Sequence, residues 1–98
     1  MTVSCLHVDF NEMLEPDLVL LSQTDQVVDQ EGNIVQLYEG LFISIYCEDF
    51  DEQGNPDNLT AEGWVEKNTF QHSWGKAAKW CCRINHYGIR HQSDITSD

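Results

Sequence analysis

The run Asp49-Phe50-Asp51-Glu52-Gln53-Gly54-Asn55-Pro56-Asp57 places oxygen donors at alternate positions with glycine sixth, as in the first half of a calcium-binding loop. The pattern then fails. Thr60 stands where a bidentate Glu is required, Glu62 comes two residues too late, and neither flank has helical periodicity. The segment therefore reads as an acidic loop between strands. Asp49, Asp51, Gln53 and Asp57 are weak candidates for a divalent cation, and no metal or other cofactor is expected.

Cys82, His86 and His91 superficially have zinc spacing, but there is no CxxC pair, and adjacent Cys81 and Cys82 in a strand must face opposite ways. Cys82 is expected to pack in a core and Cys81 to be half-exposed. Arg83 and Lys79 on the Cys81 face can lower that thiol's pKa, which is the best argument for enzyme chemistry here. Against it, no local signature marks a nucleophile, and there is no glycine-rich phosphate loop and no nucleophile elbow. The sequence leans away from an enzyme and identifies no catalytic residue.

Aromatic side chains carry more information. Ten Phe, Trp and Tyr in 98 residues are more than a core of this size encloses, so some must line a cleft or face solvent. Trp74, Trp80, Tyr87, Arg83, Arg90 and His86 are the candidate ligand- or partner-binding residues, since rings beside Arg and His form recognition patches. Trp74, next to Gly75 in an irregular stretch, is the first choice. Trp64 and Trp80 read first as the core of the barrel.

Charge narrows the partners. The formal net charge is −12, with fifteen Asp and Glu and no Lys or Arg in residues 1–66. All five cations fall in residues 67–98, against two acids. Such a surface repels phosphate backbones and anionic lipid, so neither nucleic acid nor membrane is expected. A basic protein partner fits, as does self-association of the +3 segment with the acidic face of a second copy. No apolar run reaches membrane-spanning length, no export leader is evident, and the four cysteines are expected reduced, which together point to the cytoplasm.

The elements that must position these residues are short and alternating. Residues 3–10 put Leu6, Val8 and Phe10 on one face and Cys5, His7 and Asp9 on the other, a half-buried strand. Residues 11–17 are expected to hold one helical turn before Pro16, and 18–21 a strand, with a helical turn as the alternative. Residues 26–28 and 34–37 flank a polar tip with Gly32, the clearest hairpin signal in the chain. The five-residue pattern Asp29-Gln30-Glu31-Gly32-Asn33 recurs as Asp51-Glu52-Gln53-Gly54-Asn55, which reads as reuse of turn chemistry. Residues 41–47 are apolar, β-branched and aromatic, and are expected to be the central strand. A helical turn at 59–62 is expected to precede a strand over 63–68. Residues 69–79 read as an irregular loop pinned by Phe70 and Trp74. A further strand is expected over 80–84, with Trp80, Cys82 and Ile84 on one side, then a turn at 85–88 and a short strand at 89–91.

The whole is expected to be mainly β, a small antiparallel barrel or strongly curled sheet of SH3-like or OB-like size with one or two short helical turns, α+β being the alternative. One globular domain over residues 1–92 and a flexible tail over 93–98 are expected. The function expected is a non-enzymatic protein–protein interaction or inhibitor/immunity-type module; the alternative is a small-ligand domain with a pocket lined by Trp74, Trp80, Tyr87 and Arg90.

Overall fold

Period-two patterning becomes strand almost throughout the computed structural model, which describes residues 3–69 and 78–95. The elements are β1 (Cys5–His7), β2 (Met13–Glu15), β3 (Leu18–Ser22), β4 (Gln26–Val28), β5 (Ile34–Gln36), β6 (Phe42–Cys47), β7 (Leu59–Lys67), β8 (Trp80–Ile84), β9 (Arg90–His91) and a single helical turn, α1 (Gln92–Ile95). The protein is mainly β. Among the described residues one sheet runs in the order β1-β6-β7-β8-β3-β2 with β9 beside β7, and β4-β5 form a separate two-stranded hairpin. The β1–β6 pair is parallel; the other pairs are antiparallel.

The sheet does not close into a barrel. Its end strands, β1 and β2, have three residues each and do not pair with one another. The open edge of β1 is covered instead, because the Gln30 amide at the tip of the β4-β5 hairpin donates to Cys5 O at 3.2 Å. The true centre is β7, which pairs with β6 on one side and with β8 and β9 on the other.

Two expected helical turns are strand. Residues 59–62 extend β7 because Leu59, Thr60, Ala61 and Glu62 each find a partner in β6, and those ladder bonds outweigh local preference. Residues 13–15 pair with β3 across the turn at Pro16 and Asp17, so the proline closes a hairpin, not a helix. At Ser93, where sequence suggests the start of a polar tail, the amide and hydroxyl donate to the two carboxylate oxygens of Asp57 at 3.0 and 2.9 Å.

The repeated pentapeptide folds the same way twice. Asp29 Oδ1 accepts from the Glu31 and Asn33 amides at 2.9 and 2.8 Å, and Asp51 Oδ1 accepts from the Gln53 and Asn55 amides at the same distances. Gly32 and Gly54 take φ of 87° and 83°, a conformation that penalises any Cβ.

Alternation sorts the sheet into two faces. One carries Leu6, Val8, Ile43, Ile45, Ala61, Val65, Val19, Cys82, Ile84 and Trp80, capped by Val35 and Leu37 from the region of the hairpin. A smaller cluster of Leu18, Leu20, Ala78 and Cys81 lies on the opposite face of the β8–β3 end. Gly63 sits on the main core face where β7 meets β8. A Cβ there would meet the backbone of Arg83 and lie 2.9 Å from Ile84 Cα, so the strands approach only because the side chain is absent.

Candidate functional site

The opposite face of the sheet is built from cross-strand rows. The first runs His7–Tyr46–Thr60–Arg90 across β1, β6, β7 and β9. Two residues along, Cys5–Ser44–Glu62 form the second. Phe42–Trp64–Arg83–Leu18 form the third, and Glu66–Cys81–Leu20 the fourth. The aromatic rings of this face meet edge on: His7 with Tyr46 at 5.3 Å between centroids, Phe42 with Trp64 at 5.4 Å.

Over the first two rows lies a cleft of about 340 Å³ whose lining includes Cys5, Ser44, Tyr46, Thr60, Glu62 and Arg90. The Arg90 guanidinium carbon stands 5.1 Å from the centroid of Tyr87, which in turn packs on His86 at 4.1 Å. Three of the sequence candidates, His86, Tyr87 and Arg90, are thus brought together.

The others are not. Arg83 stands against Trp64, four residues along β7 from Thr60, so about 13 Å separates it from the Arg90 row. Its guanidinium is ringed by carboxylates: Nε donates to Glu66 at 3.0 Å, Nη1 to Asp17 at 2.9 Å, and Nη2 lies 3.4 Å from Glu15. Those bonds, Glu66 first, raise its pKa above the ordinary arginine value. Trp80 is only 6% exposed on the core face, its Nε1 donating to Asp25 Oδ1 at 2.9 Å. Trp74 lies outside the described residues, as do Phe70 and most of the loop expected around it. Conversely Trp64, readable from sequence as core, is 45% exposed.

Each weak cation candidate with a described side-chain bond has a different partner. Asp49 Oδ2 faces His91 Nε2 at 3.0 Å, Asp51 organises its own turn, and Asp57 holds Ser93. The Asp49 carboxyl is held below its usual pKa, chiefly by the Phe50 amide and then by His91. The zinc-like trio is also dispersed: Cys82 is in the core, His86 stacks on Tyr87 and His91 pairs with Asp49. Among the described residues no three His, Cys, Asp or Glu side chains gather as a metal-binding set.

Cys81 is fully buried, not half-exposed. Burial pushes its thiol up to about 11, Glu66 adds to the rise, and Arg83 only partly opposes it. The cation expected to activate this thiol is already occupied by carboxylates. Cys82 is pushed up to about 12, again mainly by burial. The four cysteines are free.

Sequence reasoning missed Ser44, Thr60 and Glu62 as site residues. Alternation within β6 and β7 does place them on the non-core face, but which of them share a cleft depends on the register between strands. Among the described residues no helix is long and apolar enough to cross a membrane. No family model, curated protein or solved structure matches this chain.

Proposed function

We propose that the protein is a non-enzymatic interaction module of inhibitor or immunity type, docking a basic protein through the Phe42–Trp64 pair and the carboxylates around it. The observation that carries this reading is the trio Glu15, Asp17 and Glu66 around the single guanidinium of Arg83, directly across from Trp64. Even at this arginine, three carboxylates against one cation leave the surroundings at −2. Further exposed acids, among them Asp9, Glu12, Glu31, Glu39, Glu48 and Glu52, add to the same field. An exposed indole with an acidic border suits a basic partner: complementary charge speeds encounter, and a ring inserted into a pocket slows release.

Self-association through the cationic third has less to draw on, since Arg83 and Lys79 already spend their charge on Glu15, Asp17, Glu66 and Asp25 of the same chain. Sedimentation at low and high salt addresses it, an oligomer of this kind dissociating as salt rises.

The docking reading is tested by capture from the cells of origin with immobilised wild type and Trp64→Ala side by side. The expected result is a basic protein retained by wild type at low salt, released by added salt, and lost with Trp64→Ala. Retention of the same protein by both, or of no basic protein by either, overturns it. A second reading, a small-ligand domain, is favoured by the cleft that Arg90 lines, its guanidinium carbon 5.1 Å from the ring of Tyr87, another residue of the expected pocket.

A further inference from the structure

We propose that the cleft over β6, β7 and β9 binds a small zwitterion of the α-amino-acid class, its carboxylate on Arg90 and its ammonium on Glu62. The inference rests on the small-ligand reading of this cleft and stands apart from the docking of a basic protein, which uses the Trp64 row.

Arg90 is the first observation. In a chain with seventeen acids and five Lys and Arg, Arg83 collects three carboxylates and Lys79 one, yet no described ion pair involves Arg90. Its Nε is buried with no hydrogen-bond partner. Native folds retain few unmet buried donors, and since this nitrogen is shut off from solvent an incoming anion would meet the guanidinium through its Nη groups. The side chain is nonetheless held in place, its guanidinium carbon 5.1 Å from the centroid of Tyr87, a cation–π contact that supplies the support a carboxylate supplies elsewhere. A guanidinium kept in position but without an anion is ready to take one.

Glu62 is the second. It lines the same cleft, one row from Arg90, and no described ion pair involves it either. From the pairing of Thr60 with Arg90 and the rise along β7, the two Cα atoms are about 8 Å apart, so two long side chains of opposite charge can converge on one small molecule, and no described ion pair joins them to each other. Thr60 beside Arg90 and Ser44 beside Glu62 offer hydroxyls whose present backbone acceptors lie at 3.4 and 3.5 Å, long enough that little is lost in turning to a ligand.

Charge and size select the class. A net charge of −12 repels free phosphate and other anions, whereas a zwitterion carries no net charge to be repelled. A cleft of about 340 Å³ is at the small end of ligand sites, which run from roughly 300 to 1,000 Å³.

The test is an amide-resolved NMR titration of the full chain with each of the common free L-amino acids and with inorganic phosphate. The result expected is saturable shifts at Ser44, Thr60, Glu62 and Arg90 from at least one amino acid, none from phosphate, and weakening by about tenfold or more when that amino acid is N-acetylated or converted to its amide. Arg90→Met and the near-isosteric Glu62→Gln should each weaken binding to a similar degree while the remaining amide spectrum stays that of the wild type. Should Arg90→Met fail to fold, Glu62→Gln decides alone. Absence of saturable shifts at millimolar amino acid, equal binding of the N-acetyl form, or preference for phosphate each overturns the proposal. Trp64→Ala should leave this binding unchanged, which separates its outcome from that of the docking reading.

Discussion

Trp80, at the head of β8, donates its indole proton to Asp25 Oδ1 at 2.9 Å across 55 residues of chain. The same carboxylate oxygen lies 2.7 Å from Lys79 Nζ. One acid ahead of the β4-β5 hairpin thus fixes the start of a strand from the other end of the sequence. It also gives a buried ring its polar partner without putting a charge into the core.

Those two bonds, Lys79 first and Trp80 second, hold the Asp25 carboxyl below its usual pKa. A carboxyl with a depressed folded-state pKa contributes stability that is present above its ordinary value of about 3.9 and is lost as pH falls through the folded value. Asp25→Asn should therefore lower the melting temperature at neutral pH, and the gap to wild type should narrow below about pH 4. Parallel thermal melts across that range check it; a gap independent of pH would show that Asp25 acts by shape and not by charge.

Gly63→Ala should be among the most damaging single changes in the chain. The new Cβ would lie 2.7 Å from the Arg83 carbonyl carbon and 2.9 Å from Ile84 Cα, and backbone cannot step aside without breaking the β7–β8 ladder. A loss of about 3 kcal/mol is expected, read as a lower urea midpoint. By contrast, Ser44→Ala on the opposite face should move the midpoint little, because its hydroxyl bond to Ala61 O is already long at 3.5 Å.

Arg83→Met leaves Glu15, Asp17 and Glu66 facing one another with no cation between them. The Arg83 side chain is 30% exposed, so solvent screens much of the repulsion and a loss on the order of 1–2 kcal/mol is expected. Added salt should recover part of it, since screening acts on like charges that remain accessible. Denaturation with and without salt distinguishes this from lost packing, which salt would not restore.

Thiol labelling at neutral pH should divide the cysteines by burial. Cys47 and Cys5 are half-buried and should label in the native protein, Cys5 the more slowly for the burial that raises its pKa. Cys81 and Cys82, fully buried and pushed up to about 11 and about 12, should label only after denaturant is added. Mass spectrometry of alkylated peptides reads the order, and fast native labelling of Cys81 would contradict it.

Within a strand, the side of the sheet a residue faces is settled locally by the pleat, which is why the alternation of Leu6 and Val8, or of Trp80, Cys82 and Ile84, is legible in sequence and matches the two faces of the sheet. Turn chemistry is local for the same reason, and the two Asp-x-x-Gly-Asn tips fold alike despite different flanks. Strand order and register are not local. Nothing near Leu59 announces that four residues will find partners in β6, and nothing near Cys5 announces a parallel neighbour.

The consequences for the site follow from that difference. Along the chain the charge divides into an acidic first part and a cationic last third, but the sheet inserts β8 between β7 and β3 and returns acids to Arg83. Composition, alternation and turns were decided by the amino-acid sequence within a few residues of each position. Which guanidinium is neutralised, which is left open beside Tyr87, and which ring reaches solvent were decided only by long-range pairing, because those contacts join residues that no local preference connects.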